Sequence, residues 1–284
     1  MKIDHDDHEF FLTTRFNGRI MGSFAGTENT GRSKGDFVMK KFIAAVVAMT
    51  LCLCAVGALA EHFVIATDTV FKPFEYTDAS GNFVGIDVDI LAAIAEDQGF
   101  TYDLNSLGWD AAIAACQAGQ ADGMIAGASI TDARKESGWI FSDGYFNATQ
   151  CMTVAAGAKI ASFADLAGKP VAVKTGTQGA SYAESLKDEY GFTLTYFEDS
   201  PTMYQAVIGG QCAACFEDTP IMAATIKENG VPLQIVEGSE NEGSPYGFAI
   251  FNADKQALVD MFNAGLANIK ASGKYDEILA KYLN

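Results

Sequence analysis

From Phe63 onward, short apolar runs alternate with stretches in which apolar residues return every third or fourth position. "FVIAT" (63–67) has the character of a buried strand. "IDVDILAAIAEDQG" (86–99) puts Ile86, Ile90 and Ile94 on one helical face and stops near Gly99. "FTYDL" predicts a strand, "WDAAIAACQAG" a helix closing at Gly119, "ADGMIAG" a strand, and "ITDARKES" a short helix capped by Thr131. A second series of the same kind starts near Met152. "FADLAGKPVAVK" gives a small helix and a strand, then a helix runs from Ala180 with Tyr182, Ala183 and Leu186 inward. "LTYF" is a strand, Ser200-Pro201 caps and opens a helix, "CAACFED" is a strand, and Thr219-Pro220 repeats the cap-plus-proline device. "PLQIV", a polar loop at 237–244, the run "YGFAIF" and two helices (254–272 and 274–283) complete the pattern. Strands alternating with helices in two successive units predict an α/β protein of two lobes, without a close internal repeat.

The N-terminal stretch stands apart from this pattern. Met39, Lys40 and Lys41 precede "FIAAVVAMTLCLCAVGALA", which closes on Ala58-Leu59-Ala60. A basic start, an apolar core and small residues at the end make a secretory signal, with cleavage expected after Ala60. Residues 1–38 read as an over-long start upstream of Met39, and the His5, Asp6, Asp7 and His8 group goes with them. Cys54 follows Leu53 rather than a small residue, so a lipid anchor ranks second to cleavage.

Removal of the leader changes the charge and the available chemistry. The 224 residues from Glu61 on suit one large domain or two small ones. The leader holds seven of the 19 Lys and Arg and six of the 36 Asp and Glu, which leaves a net charge of −18. Such a surface repels nucleic acid and anionic lipid. Only His62 remains among the histidines, so Ser-His and Cys-His catalysis and His-rich metal sites are out of reach. No metal and no cofactor are expected. Cys116, Cys151, Cys212 and Cys215 remain. If Cys212 and Cys215 share a strand, they point to opposite faces about 10 Å apart, which favours buried thiols over a disulfide.

The turn Thr175–Gly179 joins a strand to a helix, so it presents free N–H groups and the positive end of a helix dipole. It lacks the Gly-Lys-Ser/Thr ending of a phosphate loop and the spacing of a dinucleotide site. The pattern alone favours a tight turn that binds nothing.

Four longer motifs occur in order: "ATDTVFKPFEYTDASGNFVGIDVDIL", "AGASITDARKESGWIFSDGY", "VAVKTGTQGASYAE" and "FEDTPIMA". Together, over residues 62–284, they resemble the polar amino-acid-binding proteins of ABC importers, solute-binding protein family 3, and within it the glutamine-binding members. The resemblance implies a type II periplasmic-binding-protein fold, an α/β protein whose two lobes are joined by two hinge strands. Lobe 1 would span 61–146 and 247–284, and lobe 2 would span 147–246. It also implies a monomer, located in the periplasm or on the extracellular face, that hands a free amino acid to a membrane permease without chemistry of its own.

An amino acid carries a carboxylate and an ammonium on one carbon, so its site needs donors beside acceptors. Arg134, in the first turn after Thr131, can meet a carboxylate with its planar fork, or it can lie solvated on the surface. Ser129 offers a hydroxyl, and Ala126 or Gly127 a backbone carbonyl. Asp218 ends a strand at the sheet edge where ligands of open α/β folds gather, yet it could equally cap the helix that follows. By resemblance, Asp218 pairs with the ligand ammonium and Gln178 lies nearest the carboxylate. Phe71, on an exposed loop, and Trp109, at a helix start, would sandwich the side chain. Asp68 and Lys174 would face its tip, with glutamine favoured. Glu217 stands where the glutamine-binding pattern has histidine and is a further specificity candidate. Asp87 and Asp89 read as helix-start residues. The rival reading is a periplasmic cyclohexadienyl dehydratase on the same fold, with Glu217 or Asp68 as its acid or base.

Overall fold

Alternation of strand and helix is what the computed structural model shows over residues 60–283, which it describes. The signal core, the start at Met39 and Cys52 and Cys54 lie outside the described residues. In chain order come β1 (His62–Thr67), β2 (Tyr76–Thr77), β3 (Phe83–Val84), α1 (Ile86–Gln98), β4 (Thr101–Ser106), α2 (Trp109–Gln117) and β5 (Gly123–Met124). They are followed by α3 (Asp132–Glu136), β6 (Ile140–Phe141), β7 (Phe146–Ala148), β8 (Gln150–Ala155), β9 (Pro170–Lys174), α4 (Gln178–Tyr190) and β10 (Thr193–Phe197). The remainder is α5 (Ser200–Ile208), β11 (Ala214–Asp218), α6 (Thr219–Asn229), β12 (Leu233–Ile235), β13 (Ser244–Tyr246), β14 (Ala249–Ile250), α7 (Gln256–Ala271) and α8 (Lys274–Leu283).

These strands form two five-stranded sheets, ordered β4-β1-β5-β14-β6 and β10-β9-β11-β8-β12. In the first, β1 runs parallel to β4 and β5, while β14 is antiparallel to β5 and β6. In the second, β9 is parallel to β10 and β11, while β8 is antiparallel to β11 and β12. The chain passes from the first sheet to the second through β7 and returns through β13. These two crossing strands pair antiparallel, Tyr246 opposite Phe146.

Apolar faces explain why the elements pack as they do. Ile86, Ile90, Leu91 and Ile94 of α1 are buried with Leu258, Val259, Phe262 and Leu266 of α7 against Ile65 of β1, so the C-terminal segment completes the first lobe. Trp109, Ala112 and Cys116 of α2 cover another part of that sheet with Trp139. The second sheet is covered by Ala180 and Ala183 of α4 on one side and by Met203, Tyr204 and Val207 of α5 on the other. Burial on both faces accounts for the almost unbroken apolar runs in β8 and β11.

Several local expectations shift. The run "YGFAIF" is not one strand: its first residue ends β13 and its Ala249–Ile250 belong to the first sheet, because the chain changes sheets within it. The cap of α5 is Asp199, which accepts from Thr202 N at 2.8 Å, rather than Ser200. Asp218, not Thr219, holds the cap position of α6. Helix α4 begins two residues before Ala180, with Thr177 accepting from Ala180 N at 3.2 Å. Thr131 does cap α3. Cys212 precedes β11 instead of lying within it, and all four described cysteines are free and buried.

Candidate functional site

The C-terminal ends of β1, β5, β9 and β11 converge, which is where open α/β sheets gather ligands. β1 delivers Asp68, β9 delivers Lys174, and β11 delivers Glu217 and Asp218. The segment after β5 brings Ala126, Gly127 and Ser129, and α3 brings Arg134. The N-termini of α2 and α4 add Trp109 and Gln178. All eleven residues expected from the sequence, Phe71 among them, line one cavity, joined by Thr177. The free space between them is small, about 20 Å³. Thr177 was legible as an N-cap between strand end and helix, a position that threonine favours.

The charged groups are buried and cross-connected. Lys174 Nζ donates to Asp68 Oδ2 at 2.6 Å, tying a residue of the second sheet to one of the first, with both side chains almost fully enclosed. Asp68 Oδ1 accepts from Thr69 N at 2.7 Å. Arg134 is only 8% exposed, which excludes the solvated-surface reading. Its guanidinium lies 5.1 Å from the Trp109 ring centre and 5.0 Å from that of Trp139. It donates to Ser129 O at 2.9 Å and, across to the second-sheet side, to Gly176 O at 3.1 Å. Burial lowers its pKa to about 10, with Asp218 and Tyr246 acting against that, so it stays charged at neutral pH.

Asp218 sits at the cap position of α6 but makes no side-chain cap bond, so the capping reading fails. Its carboxylate instead accepts from Gln150 Nε2 at 2.6 Å and from Tyr246 OH at 2.5 Å. Burial and then the Glu217 charge push its pKa up to about 7, opposed by the Tyr246 and Gln150 bonds and by Arg134. Glu217 borders the cavity, but its Oε2 accepts from Ser200 Oγ at 2.7 Å and Tyr204 OH at 2.9 Å. Its Oε1 accepts from Asp218 N at 3.0 Å. Glu217 is thus committed to α5 and acts on the site through its charge.

Phe71 is buried rather than exposed, because its loop folds back in a bridge to Glu75 and its ring packs near Phe74 and Tyr246. Gly127 has φ +56°, and a Cβ there would lie 2.5 Å from the Phe71 ring, so glycine is required for this wall to close. Sequence reasoning missed Gln150, Trp139 and Tyr246. Gln150 and Tyr246 sit beside apolar stretches and acquire their roles only through cross-strand placement. Asp89 holds its helix-start position and pairs with Lys281 at 2.7 Å. Asp87 is in the first turn too, but is fully buried.

In chemical terms, the arrangement offers a guanidinium and a capped helix N-terminus for an anion. The Asp218 carboxyl can meet a cation, and the Lys174–Asp68 pair lies beside the Phe71 ring, with Lys174 Nζ 5.7 Å from its centre. Comparison with known proteins gives a consistent result. The family model for bacterial extracellular solute-binding proteins, family 3, matches residues 63–284. The chain is 33% identical over 258 residues to a probable histidine-binding protein of Neisseria gonorrhoeae, covering 86% of this chain and 96% of that one. It shares 32% identity and a TM-score of 0.71 with the arginine-, lysine-, histidine-binding protein ArtJ of Geobacillus stearothermophilus, covering 78% and 95%. An ancestral arginine-binding protein is 31% identical with a TM-score of 0.73, in structures with arginine (80% and 100% covered) and with glutamine (79% and 99%).

Proposed function

Because this chain belongs to the bacterial extracellular solute-binding proteins, family 3, and so serves amino-acid uptake by an ABC transporter, we propose that the cavity is its amino-acid site and that glutamine is its preferred ligand. In this reading, Arg134 and the N-terminus of α4 at Gln178 take the α-carboxylate. Asp218 and Ser129 take the α-ammonium, and Phe71 and Trp109 enclose the side chain. The lobes are 61–146 with 247–284 and 147–246, limits at which the crossing strands β7 and β13 lie. The protein acts as a monomer, exported with cleavage after Ala60.

The observation that carries the glutamine reading is the buried Lys174–Asp68 pair. An ammonium can donate to a carboxamide oxygen while a carboxylate accepts from its NH₂, so the pair matches both ends of one amide. A cationic side chain would instead face the Lys174 charge. Histidine, arginine or lysine is the second reading, favoured by what the named relatives bind. Calorimetric competition among glutamine, glutamate, arginine, lysine and histidine separates the two. Glutamine should bind tightest, and Lys174→Leu should weaken it more than it weakens arginine. Arginine or lysine leading in the unmodified protein overturns the glutamine reading. Turnover of prephenate or arogenate would overturn the binding-only reading.

A further inference from the structure

Two carboxyl groups behind the cavity are not explained by ligand binding. Glu75 and Asp87 are both fully buried. Asp87 Oδ2 accepts from Gly127 N at 2.9 Å and from Tyr145 OH at 2.8 Å. Asp87 Oδ1 and both Glu75 oxygens have no donor among the described residues if both groups are ionised. Yet the backbone sets the two carboxyls side by side, with Asp87 N donating at 3.0 Å to the carbonyl of Phe74, the residue before Glu75, and each group feels the other. Two carboxylates have no proton to share, whereas an acid and a carboxylate do.

We propose that Glu75 is a neutral acid whose O–H donates to Asp87 Oδ1, and that the pair positions Gly127 and the Phe71 wall for the amino acid. The positioning part rests on the amino-acid-binding reading; the proton assignment does not. The proton belongs on Glu75 because Asp87 already receives two donors that favour its anion. Burial acts in the same sense, raising Glu75 well above the usual carboxylate range, with the Asp87 and then the Asp68 charges adding to it. Asp87 is raised by burial as well but, steadied by Gly127, Tyr145 and Glu75, only to about 6. The titratable groups facing the pair are Asp68 from the end of β1, Lys174 from the end of β9, and Tyr145 before β7. Among them Lys174 is the cation, and it opposes the rise. An ionised Glu75 would compete with Asp68 for that ammonium; a neutral Glu75 leaves the Lys174–Asp68 pair intact. Asp87 in turn holds the Gly127 backbone against Phe71, with no room for a side chain between them.

The test combines infrared spectroscopy with calorimetry on the full mature chain. Without any amino acid at pH 7, the spectrum of the native protein minus that of Glu75→Gln should show the C=O stretch of a protonated carboxyl; no such band overturns the proton assignment. With glutamine as probe, or arginine if glutamine does not bind, Glu75→Gln should bind within about twofold of the native protein, since the amide donates in place of the acid. Glu75→Leu, which leaves Asp87 Oδ1 unpaired, should weaken binding about tenfold. If both variants bind normally, or Glu75→Gln falls as far as Glu75→Leu, the positioning role is wrong. If the chain binds no amino acid at all, the functional reading fails while the infrared band still decides the proton.

Discussion

Asp218 meets two demands at once. Its carboxyl is raised by burial, and then by the Glu217 charge, to about 7 from an ordinary 3.8, so folding favours its protonated form. The stability this contributes is complete below the ordinary value and is lost as pH rises through about 7. In the proposed amino-acid site, a ligand ammonium would reverse the preference by stabilising the anion. Binding at pH 6 should therefore release a proton, and affinity should fall as pH drops below about 7. Calorimetry in buffers of different ionisation enthalpy measures that release, and Asp218→Asn should abolish it. Glu217→Gln, by removing the neighbouring charge, should move the window to lower pH. Arg134→Ala and Asp218→Ala should each cost about 2–5 kcal/mol of binding, because each leaves a ligand charge buried without its partner. Near-normal affinity with either variant would remove that residue from the ligand's shell. Which residues line the cavity was legible, because the family resemblance and the chemistry of an amino acid both pointed to them. Their burial was not: a sequence does not show that Arg134 packs against the neighbouring rings of Trp109 and Trp139, or that Glu217 spends its oxygens on Ser200 and Tyr204.

The elements were largely legible, since apolar periodicity follows the buried faces of α1, α2, α4 and the second-sheet strands. Their ends were less so. Asp199 and Thr177 displaced the expected helix starts because a cap is chosen by which side-chain oxygen reaches the N–H of the first turn, and Ser200 and Ala180 lie beyond that point. The turn between β9 and α4 shows how such details bear on the site. Gly176 has φ +70°, and a Cβ there would come within 3.3 Å of Trp109 Nε1 and 3.5 Å of Asp110 Oδ1. Gly176→Ala should therefore strain the backbone by about 1–2 kcal/mol and press against Trp109, weakening amino-acid affinity more than it lowers Tm. Thr177→Ala should lower stability by about 1 kcal/mol in urea unfolding through loss of the cap. Equal affinity for Gly176→Ala and the native chain would show that the turn does not bear on ligand capture.

At the scale of the molecule, two sheets are joined by one antiparallel pair of strands and held across the cavity by Lys174–Asp68 and by Arg134 donating to Gly176 O. The alternation of elements gave the two-lobed class, but the return of the chain to its first sheet was carried by the family resemblance, because β14 is two residues long and reads as part of the run before it. That return sets an order of events during synthesis. β14 lies between β5 and β6 in the interior of the first sheet, while the second sheet is complete once β12 has been made. A chain ending at residue 246 should keep its second sheet as a protease-resistant fragment while residues 61–146 are cleaved, as limited proteolysis with mass spectrometry can show. While the chain is still emerging, Asp68 and Arg134 stand on an unfinished scaffold. Until β14 and α7 are in place, the proposed site lacks half of its support, so a chain stopped before β14 should neither sequester a nutrient nor present one to the transporter.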